Sequence, residues 1–376
     1  MSNVIRLGDY ITEISEKTTV NNQHMVLTSS QEGIVSQDDY FNKQVASKDN
    51  TGYKIIRRGQ FTYRAMSDTG RFYINRLTDY DIGIVSPAYP VFELRTNGQI
   101  LPEYLQEYFH SEHFQNAITL SSTGSTRVSL KLAKIADLRI DIPTLPKQQC
   151  AVQAISHVNH LIFMQNSSAA KLDQLVKSRF VEMFIGKNYS RKTVDEVSLG
   201  KGEYGAQSAS AEYTPDRPRY VRITDINDDG TLNNDVVSSI NHSDDDQYRL
   251  RYGDFLFARM GATVGKTYAF REGNQIYAGY LIRYKLDLTQ IHPLYLFWYT
   301  RLNEYWDWVK LNQSGAAQPG INAKKFGSLR IPVPPIDIQN RFVAFVAEVD
   351  KSKLAVKQSL EKLETLKKSL MQEYFG

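Results

Sequence analysis

Cysteine is nearly absent: Cys150 is the only one, which excludes an intrachain disulfide and any zinc site built from several cysteines. Long apolar runs are missing too. No window approaches the roughly 20 apolar residues needed to span a bilayer, and the opening MSNVIRLGDYITEIS holds no apolar core of leader-peptide length. The expectation is a cytoplasmic protein with no membrane partner. A strong charge of either sign is also absent, since 45 basic and 41 acidic residues leave a net charge of +4. A polyanion would therefore have to be held by local patches and not by a global field. What the chain does have is size: 376 residues, 41% of them hydrophobic, enough for more than one core and about two to three domains.

Several stretches imitate catalytic motifs and fail on spacing. GATVGKT (261–267) ends like a phosphate-binding loop, but only three residues separate Gly261 from Gly265 where four are required, and YAF follows where a helix should start. DINDDG (225–230) copies the first half of a calcium loop, yet its twelfth position is Val236, so no bidentate glutamate closes it; a hydrophilic turn fits better. SPAY (86–89) resembles the tetrapeptide with which amino-methyltransferases grip a base, but its counterpart AGYL (278–281) does not, and no glycine-rich cofactor loop precedes it. A strand end is the simpler reading. His157 and His160 share a helix face with no further ligand beside them, as a solvated surface would. No Ser/His/Asp set, zinc cluster or nuclease-like carboxylate and lysine group recurs along the chain, so the expectation is a non-catalytic protein with no metal and no cofactor of its own.

The dominant signal is a duplication. Leu138, Arg139, Ile140 and Pro143 reappear 191 positions later as Leu329, Arg330, Ile331 and Pro334, and the same register carries Gln148 to Gln339, Val158 to Val349, Leu172 to Leu363 and Phe184 to Phe375 without a gap. Upstream, PEYLQEY (102–108) answers PLYLFWY (293–299). With a shift of a few residues, RRGQFTYRAM (57–66) answers RYGDFLFARM (251–260). A repeat this long makes the chain two copies of one module.

Each copy opens with about 140 residues rich in short β-branched and aromatic runs, such as GDFLFARM and QIYAGYLIRYKL, which predict strands joined by polar turns. A single helix is predicted within each head, over 102–116 and 293–311. Each copy then passes through a strand stopped by prolines (LRIDIPTLP, LRIPVPPID) into a long helical pattern. Phe342, Val349, Val356, Leu363 and Leu370 recur every seven residues, with Val346, Leu360 and Tyr374 alongside. Ala151, Ile155, Val158, Ile162, Ala169, Leu172, Val176 and Met183 repeat the pattern in the first copy. Two helices of about 38 residues, each about 57 Å long, suggest a spacer between globular heads. The expected architecture is α/β (α+β): two β-rich domains separated by two long antiparallel coiled-coil helices, with an internal pseudo-two-fold repeat. The expected boundaries are a first head at 1–145, a central helix at 146–186, a second head at 187–336 and a C-terminal helix at 337–376.

Basic and amide residues interleave with aromatics at the loops of each head. In the first these are Arg57, Arg58, Tyr63, Arg64 and Arg71, with Ser125, Thr126 and Arg127 closing STGSTR. In the second they are Gln207, Arg219, Arg259, Thr263 and Lys266, then Gln313, Ser314 and Gln318 within NQSGAAQPG. Arginine and lysine neutralise phosphates and, with glutamine, make the paired hydrogen bonds that tell bases apart. A solvated surface accounts for any one of them; their recurrence in both copies points to double-stranded DNA.

Two variable heads, each ending in a proline-rich strand, a glutamine and a long helix, resemble the specificity subunit of Type I restriction-modification systems. The likeness rests on GSTRVSLKLAKIADLRIDIPTLPKQQ and GAAQPGINAKKFGSLRIPVPPIDIQ, and on YVRITDINDDG and GDFLFARMGATVGK in the second head. The first head departs from it, with GQFTYRAMSDTGRF lacking the R.G..G ending. The resemblance implies two target recognition domains, each reading half of a split asymmetric sequence, and helices that set the spacing and dock two methyltransferase subunits. Pro143, Gln148, Pro334 and Gln339 are the expected partner contacts. S-adenosylmethionine, ATP and magnesium would be used by partners: the methyltransferase subunits, which methylate adenine N6 after base flipping, and two restriction subunits when restriction-competent. A subunit serving a methyltransferase alone is the alternative within this class, and a paired-domain protein-binding scaffold the alternative outside it.

Overall fold

A computed structural model describes residues 3–40, 49–95, 98–119, 128–240, 246–314 and 319–376. Contacts divide the chain into two units, Met1–Ser167 with Lys357–Gly376, and Ser168–Val356. The division cuts across both sequence copies, because the end of each long helix belongs to the unit built around the other copy's head.

In the first unit, β-branched and aromatic runs pair into short antiparallel ladders, as such side chains favour on a pleated surface. Strands Ile11–Ile14, Val91–Leu94, Phe61–Thr62 and Asn75–Arg76 form a four-stranded sheet in that order. Asn3–Arg6 pairs with Arg139–Ile142, which closes the head just before the long helix. In the second unit, Glu203–Tyr204, Leu281–Lys285, Asp254–Ala258 and Thr267–Ala269 repeat the four-stranded order, and Arg191–Thr193 pairs with Arg330–Pro332. The imitation motifs resolve as ordinary structure. SPAY is a turn after strand Ile82–Val85, with Tyr89 N donating to Ser86 O at 2.9 Å. GATVGKT runs from a short turn into strand Thr267–Ala269 and not into a helix. DINDDG closes on Gly230 at φ +76°, a conformation that glycine adopts without penalty.

The single helix expected in each head is two helices. Pro102–His110 is followed by Glu112–Thr119, and Pro293–Tyr299 by Asn303–Asn312. In the first, Ser111 stands extended at ψ 150°. Its hydroxyl donates to Tyr108 O at 2.6 Å and accepts from Phe114 N at 3.2 Å, so it ends one helix and caps the next.

The long helices are Leu145–Phe184 and Ile336–Phe375, 40 residues each. Their heptad positions face inward: Ala151, Ile155 and Val158 in one and Phe342, Val346 and Val349 in the other are buried, and these two triplets are repeat equivalents. In the second unit Phe184 and Phe180 lie against Phe342, with ring centroids 5.5 and 5.2 Å apart, and Asp173 pairs with Lys353 at 2.5 Å. Rising numbers along one helix thus meet falling numbers along the other. In the first unit Phe375 joins Ala151 and Ile155 in one core and sits 5.0 Å from the Tyr104 ring. Its equivalent Phe184 sits 4.8 Å from Tyr295, the equivalent of Tyr104. Each head is closed by the same aromatic pair, assembled from different parts of the chain.

Candidate nucleic-acid interface

The corner where the central strand leaves the sheet collects the residues of interest. In the first unit Phe61–Thr62 runs on through Tyr63, Arg64 and Ala65 to Met66–Ser67, which pairs with Val128–Ser129. Leu130 N donates to Ala65 O at 2.9 Å. In the second, Asp254–Ala258 runs on to Arg259 and Met260, and the equivalent bond joins Ile321 N to Arg259 O at 2.9 Å. A backbone strap fixes the corner in both.

Tyr63 does not face a ligand. It is fully buried, its hydroxyl donates to Leu130 O at 3.1 Å, and burial pushes its pKa upward. Its repeat partner Phe257 is equally buried, and that apolar counterpart marks the position as core. Arg57 and Arg58 lie nearby on the surface but are committed, Arg57 to Glu16 and Arg58 to Asp81 at 2.8 Å. The Arg57 hydrogen bond holds the Glu16 carboxyl below the usual range. Arg71 is paired with Glu112. Arg64 differs: it is exposed and has no ion-pair partner among the described residues. Arg64 and Arg71 line a cleft of about 590 Å³ with Gln37, Tyr53, Tyr73 and Tyr89, and the Gln37 Oε1 is buried without a hydrogen-bond partner among the described residues. The sequence reading missed Gln37 and these tyrosines, which come from three separate segments. Ser125, Thr126 and Arg127 lie outside the described residues.

In the second unit Arg259 has no carboxylate partner among the described residues. Its guanidinium stands 4.8 Å over the Tyr204 ring, Nη2 lies 3.3 Å from the Met260 sulfur, and Nε is buried with no hydrogen-bond partner among the described residues. Gln207 lies across Gly279, where an added β-carbon would meet its amide at 2.5 Å. Ser314 bonds Gly320 in both directions at 3.0 and 3.1 Å, and Gly320 is bridged to Met260, so Gln313 and Ser314 reach the same corner. Thr263 Oγ1 turns back to Met260 O at 3.4 Å. Arg219 and Lys266 have other partners: Arg219 bonds Asn234 at 2.7 Å, and Lys266 pairs with Asp228 at 2.7 Å, holding that carboxyl low. Gln318 lies outside the described residues. Tyr204 and Tyr280, both substantially exposed, were not singled out from sequence. The two corner arginines fall one residue apart in the repeat, so the heads share the corner and not the identical position.

The residues expected to meet a partner point inward. Gln148 and Gln339 are fully buried and make the same three hydrogen bonds 191 positions apart. Gln148 Oε1 accepts from Leu101 N at 2.8 Å, while Nε2 donates to Gln99 O and Pro143 O at 2.8 and 2.9 Å. Gln339 Oε1 accepts from His292 N at 2.8 Å, and its Nε2 donates to Gln290 O and Pro334 O at 2.9 and 2.8 Å. A side-chain amide is the one neutral group that accepts and donates at once in this geometry. It latches the first turn of the helix to the segment before the head's own helices, with Pro334 buried and Pro143 half-buried in the joint.

Fold and corners define a duplicated protein that presents a carboxylate-free arginine beside aromatics in each copy. Residues 201–366 match the family model described as the Type I restriction modification DNA specificity domain. The chain is 24% identical over 122 residues to the Type I restriction enzyme MjaVIII specificity subunit of Methanocaldococcus jannaschii, covering 32% of this chain and 28% of that one. It is 20% identical over 310 residues to the StySPI specificity subunit of Salmonella potsdam, covering 75% and 66%. The chain thus spans about a third of the length of the archaeal relatives it matches. Among solved structures, a chain from a study of type I R-M complex assembly and conformational transition superposes with a TM-score of 0.62 at 18% identity, covering 100% of this chain and 97% of that one. The type I S subunit from M. genitalium gives 0.56 at 12%, covering 100% and 96%. These two likenesses show the fold. Residues 201–366 are thus similar to a Type I DNA specificity domain, and the chain is similar to specificity subunits of Type I restriction enzymes.

Proposed function

We propose that this chain reads a bipartite, asymmetric sequence in double-stranded DNA, one half with each head, and directs partner subunits that carry out the chemistry. Two methyltransferase subunits would use S-adenosylmethionine to methylate adenine N6, and two restriction subunits with ATP and magnesium would cleave unmodified DNA. The chain itself would be non-catalytic, and its long helices, packed as an antiparallel coiled coil, would set the distance between half-sites.

The observation that carries this reading is the pair of strand-exit corners, each holding an arginine with no carboxylate among the described residues while Arg57, Arg58, Arg71 and Lys266 around them are neutralised. An arginine already paired must give up its carboxylate before it meets a phosphate or base edge; an uncommitted one need not. The corners differ in register and neighbours, as reading two different half-sites requires.

The test is co-expression of the full chain with its methyltransferase subunits, followed by sequencing of methylated adenines across a genome. The expected result is a split motif whose two halves differ, with only one half altered when residues 1–145 are exchanged for another head. A motif that changes in both halves, or no motif at all, would overturn the reading.

A further inference from the structure

Arg259 shares the lack of a carboxylate partner among the described residues with Arg219 and Arg301, but Arg219 is spent on Asn234 and the Asn233 carbonyl, and Arg301, 3.4 Å over the Phe297 ring, is spent on Thr267, Thr300 and the Phe297 carbonyl. Arg222 pairs with Asp225 at 2.9 Å, Arg249 with Asp246 at 3.1 Å, and Arg283 and Arg191 with Glu203 and Glu304. Arg259 is instead braced by groups that leave its charge uncompensated: the Tyr204 ring at 4.8 Å and the Met260 thioether at 3.3 Å. Both ends of the brace are tied to the sheet. Arg259 N donates to Tyr280 O at 3.0 Å and its carbonyl accepts from Ile321 N at 2.9 Å. Tyr204 pairs with Ile282 in the strand ladder, and its hydroxyl accepts from Ala323 N at 3.2 Å.

Geometry decides what such a group can recognise. A guanidinium held over an aromatic face has its plane restricted, and with Nε buried and unpartnered among the described residues and one Nη2 hydrogen turned to the Met260 sulfur, the terminal Nη1–Nη2 edge is what remains for a ligand. That edge offers two in-plane donors, which match the O6 and N7 acceptors side by side on the major-groove edge of guanine. The flanking surface is made by Tyr204, 41% exposed, and Tyr280, 56% exposed, which suits the edge of a base better than the hydration shell of a phosphate.

We propose that Arg259 is the residue with which the second head reads a guanine, and that Tyr204 is a positioning residue that holds its donor edge in the reading plane. This rests on the DNA-recognition reading above.

The experiment uses the full chain co-expressed with the methyltransferase subunits, with sequencing of methylated adenines as the readout and tryptophan emission as the check that the second unit is folded. The half-site of the second head is the half left unchanged when residues 1–145 are exchanged. It is expected to contain a guanine on one strand that becomes degenerate in Arg259→Ala, with discrimination at that position falling about tenfold or more and the other half-site unaltered. Arg259→Lys, which keeps the charge but not the paired donors, should relax the same position, so the proposal remains testable if the alanine variant fails to fold. Tyr204→Leu should relax it as well, and Tyr204→Phe, which keeps the ring, should restore it. A half-site lacking guanine, or variants whose methylation falls evenly across all sites with every base of the motif retained, would make Arg259 a phosphate contact and overturn the proposal. If the unaltered chain directs no split motif, the recognition reading itself fails, which is a different result.

Discussion

Removing the glutamine latch tests whether Gln148 and Gln339 hold the fold or meet a partner. Replacing either with leucine keeps the volume and deletes both the acceptor and the donor. The structure says what is then stranded. In Gln148→Leu the Leu101 amide and the Gln99 and Pro143 carbonyls lose their partner; in Gln339→Leu the His292 amide and the Gln290 and Pro334 carbonyls do. A buried polar group left unsatisfied costs about 1–3 kcal/mol, and some of the carbonyls can recruit water, so each variant should lose about 3–6 kcal/mol from its own unit. That is a large share of a typical domain's stability. Trp298, Trp306 and Trp308 are the only tryptophans in the chain and all lie in the second unit, so urea unfolding followed by tryptophan emission reads Gln339→Leu directly. Gln148→Leu should be silent to that probe and appear instead as faster hydrogen exchange at the Leu101 amide. Glutamate at either position should be worse than leucine, because a carboxylate would face two carbonyl oxygens. If both leucine variants unfold within about 0.5 kcal/mol of the parent but fail to retain a methyltransferase subunit, the latch is a docking element and the reasoning is refuted.

Two further outcomes follow from the packing. Phe184→Ala removes a side chain packed among Phe180, Tyr295 and Phe342, and should destabilise the second unit by about 3–5 kcal/mol in the same tryptophan assay. Phe375→Ala should act only on the first unit, where its ring meets Tyr104 and Tyr108, and show as local exchange around those residues. The first unit should also weaken in acid through His110, whose pKa is lowered to about 4 by burial while Nε2 contacts Asn75 Oδ1 at 3.0 Å. The unfolded imidazole takes a proton below about 6.5 and the folded one does not until about 4, so stability falls across that window by up to about 3 kcal/mol. Glu107, half-buried and held by desolvation above the usual carboxylate range, works in the opposite direction. His110→Gln isolates the imidazole's share: it should flatten the acid limb in pH-dependent unfolding, and an unchanged limb would remove His110 from the explanation.

Much of the architecture is legible in local patterns. The proline-stopped strands, the long helices and their inward face follow from period and punctuation, because a heptad stripe and a prolyl break are properties of neighbouring residues. The duplication is legible for the same reason, as a register that holds from Leu138 to Phe184. The apolar counterpart Phe257 also marks Tyr63 as core, a comparison within the repeat that needs no coordinates. The division of each short helix at Ser111 or after Tyr299 was not apparent, since serine and threonine are tolerated within helices and only the capping geometry shows the break.

What the sequence by itself determined, then, is that one module occurs twice, what its elements are and which faces are apolar. Only the tertiary structure decided that Phe184 closes on Tyr295 and Phe375 on Tyr104, so that each head is completed by the helix end of the other copy. It alone showed that Arg64 and Arg259 lack carboxylate partners among the described residues while Arg57 and Arg71 have them, and that the glutamines face inward. The physical reason is common to all three. An apolar stripe states that a surface must be buried, and a charge that it must be solvated or paired; neither states by what, because the partner lies far along the chain and is chosen by packing.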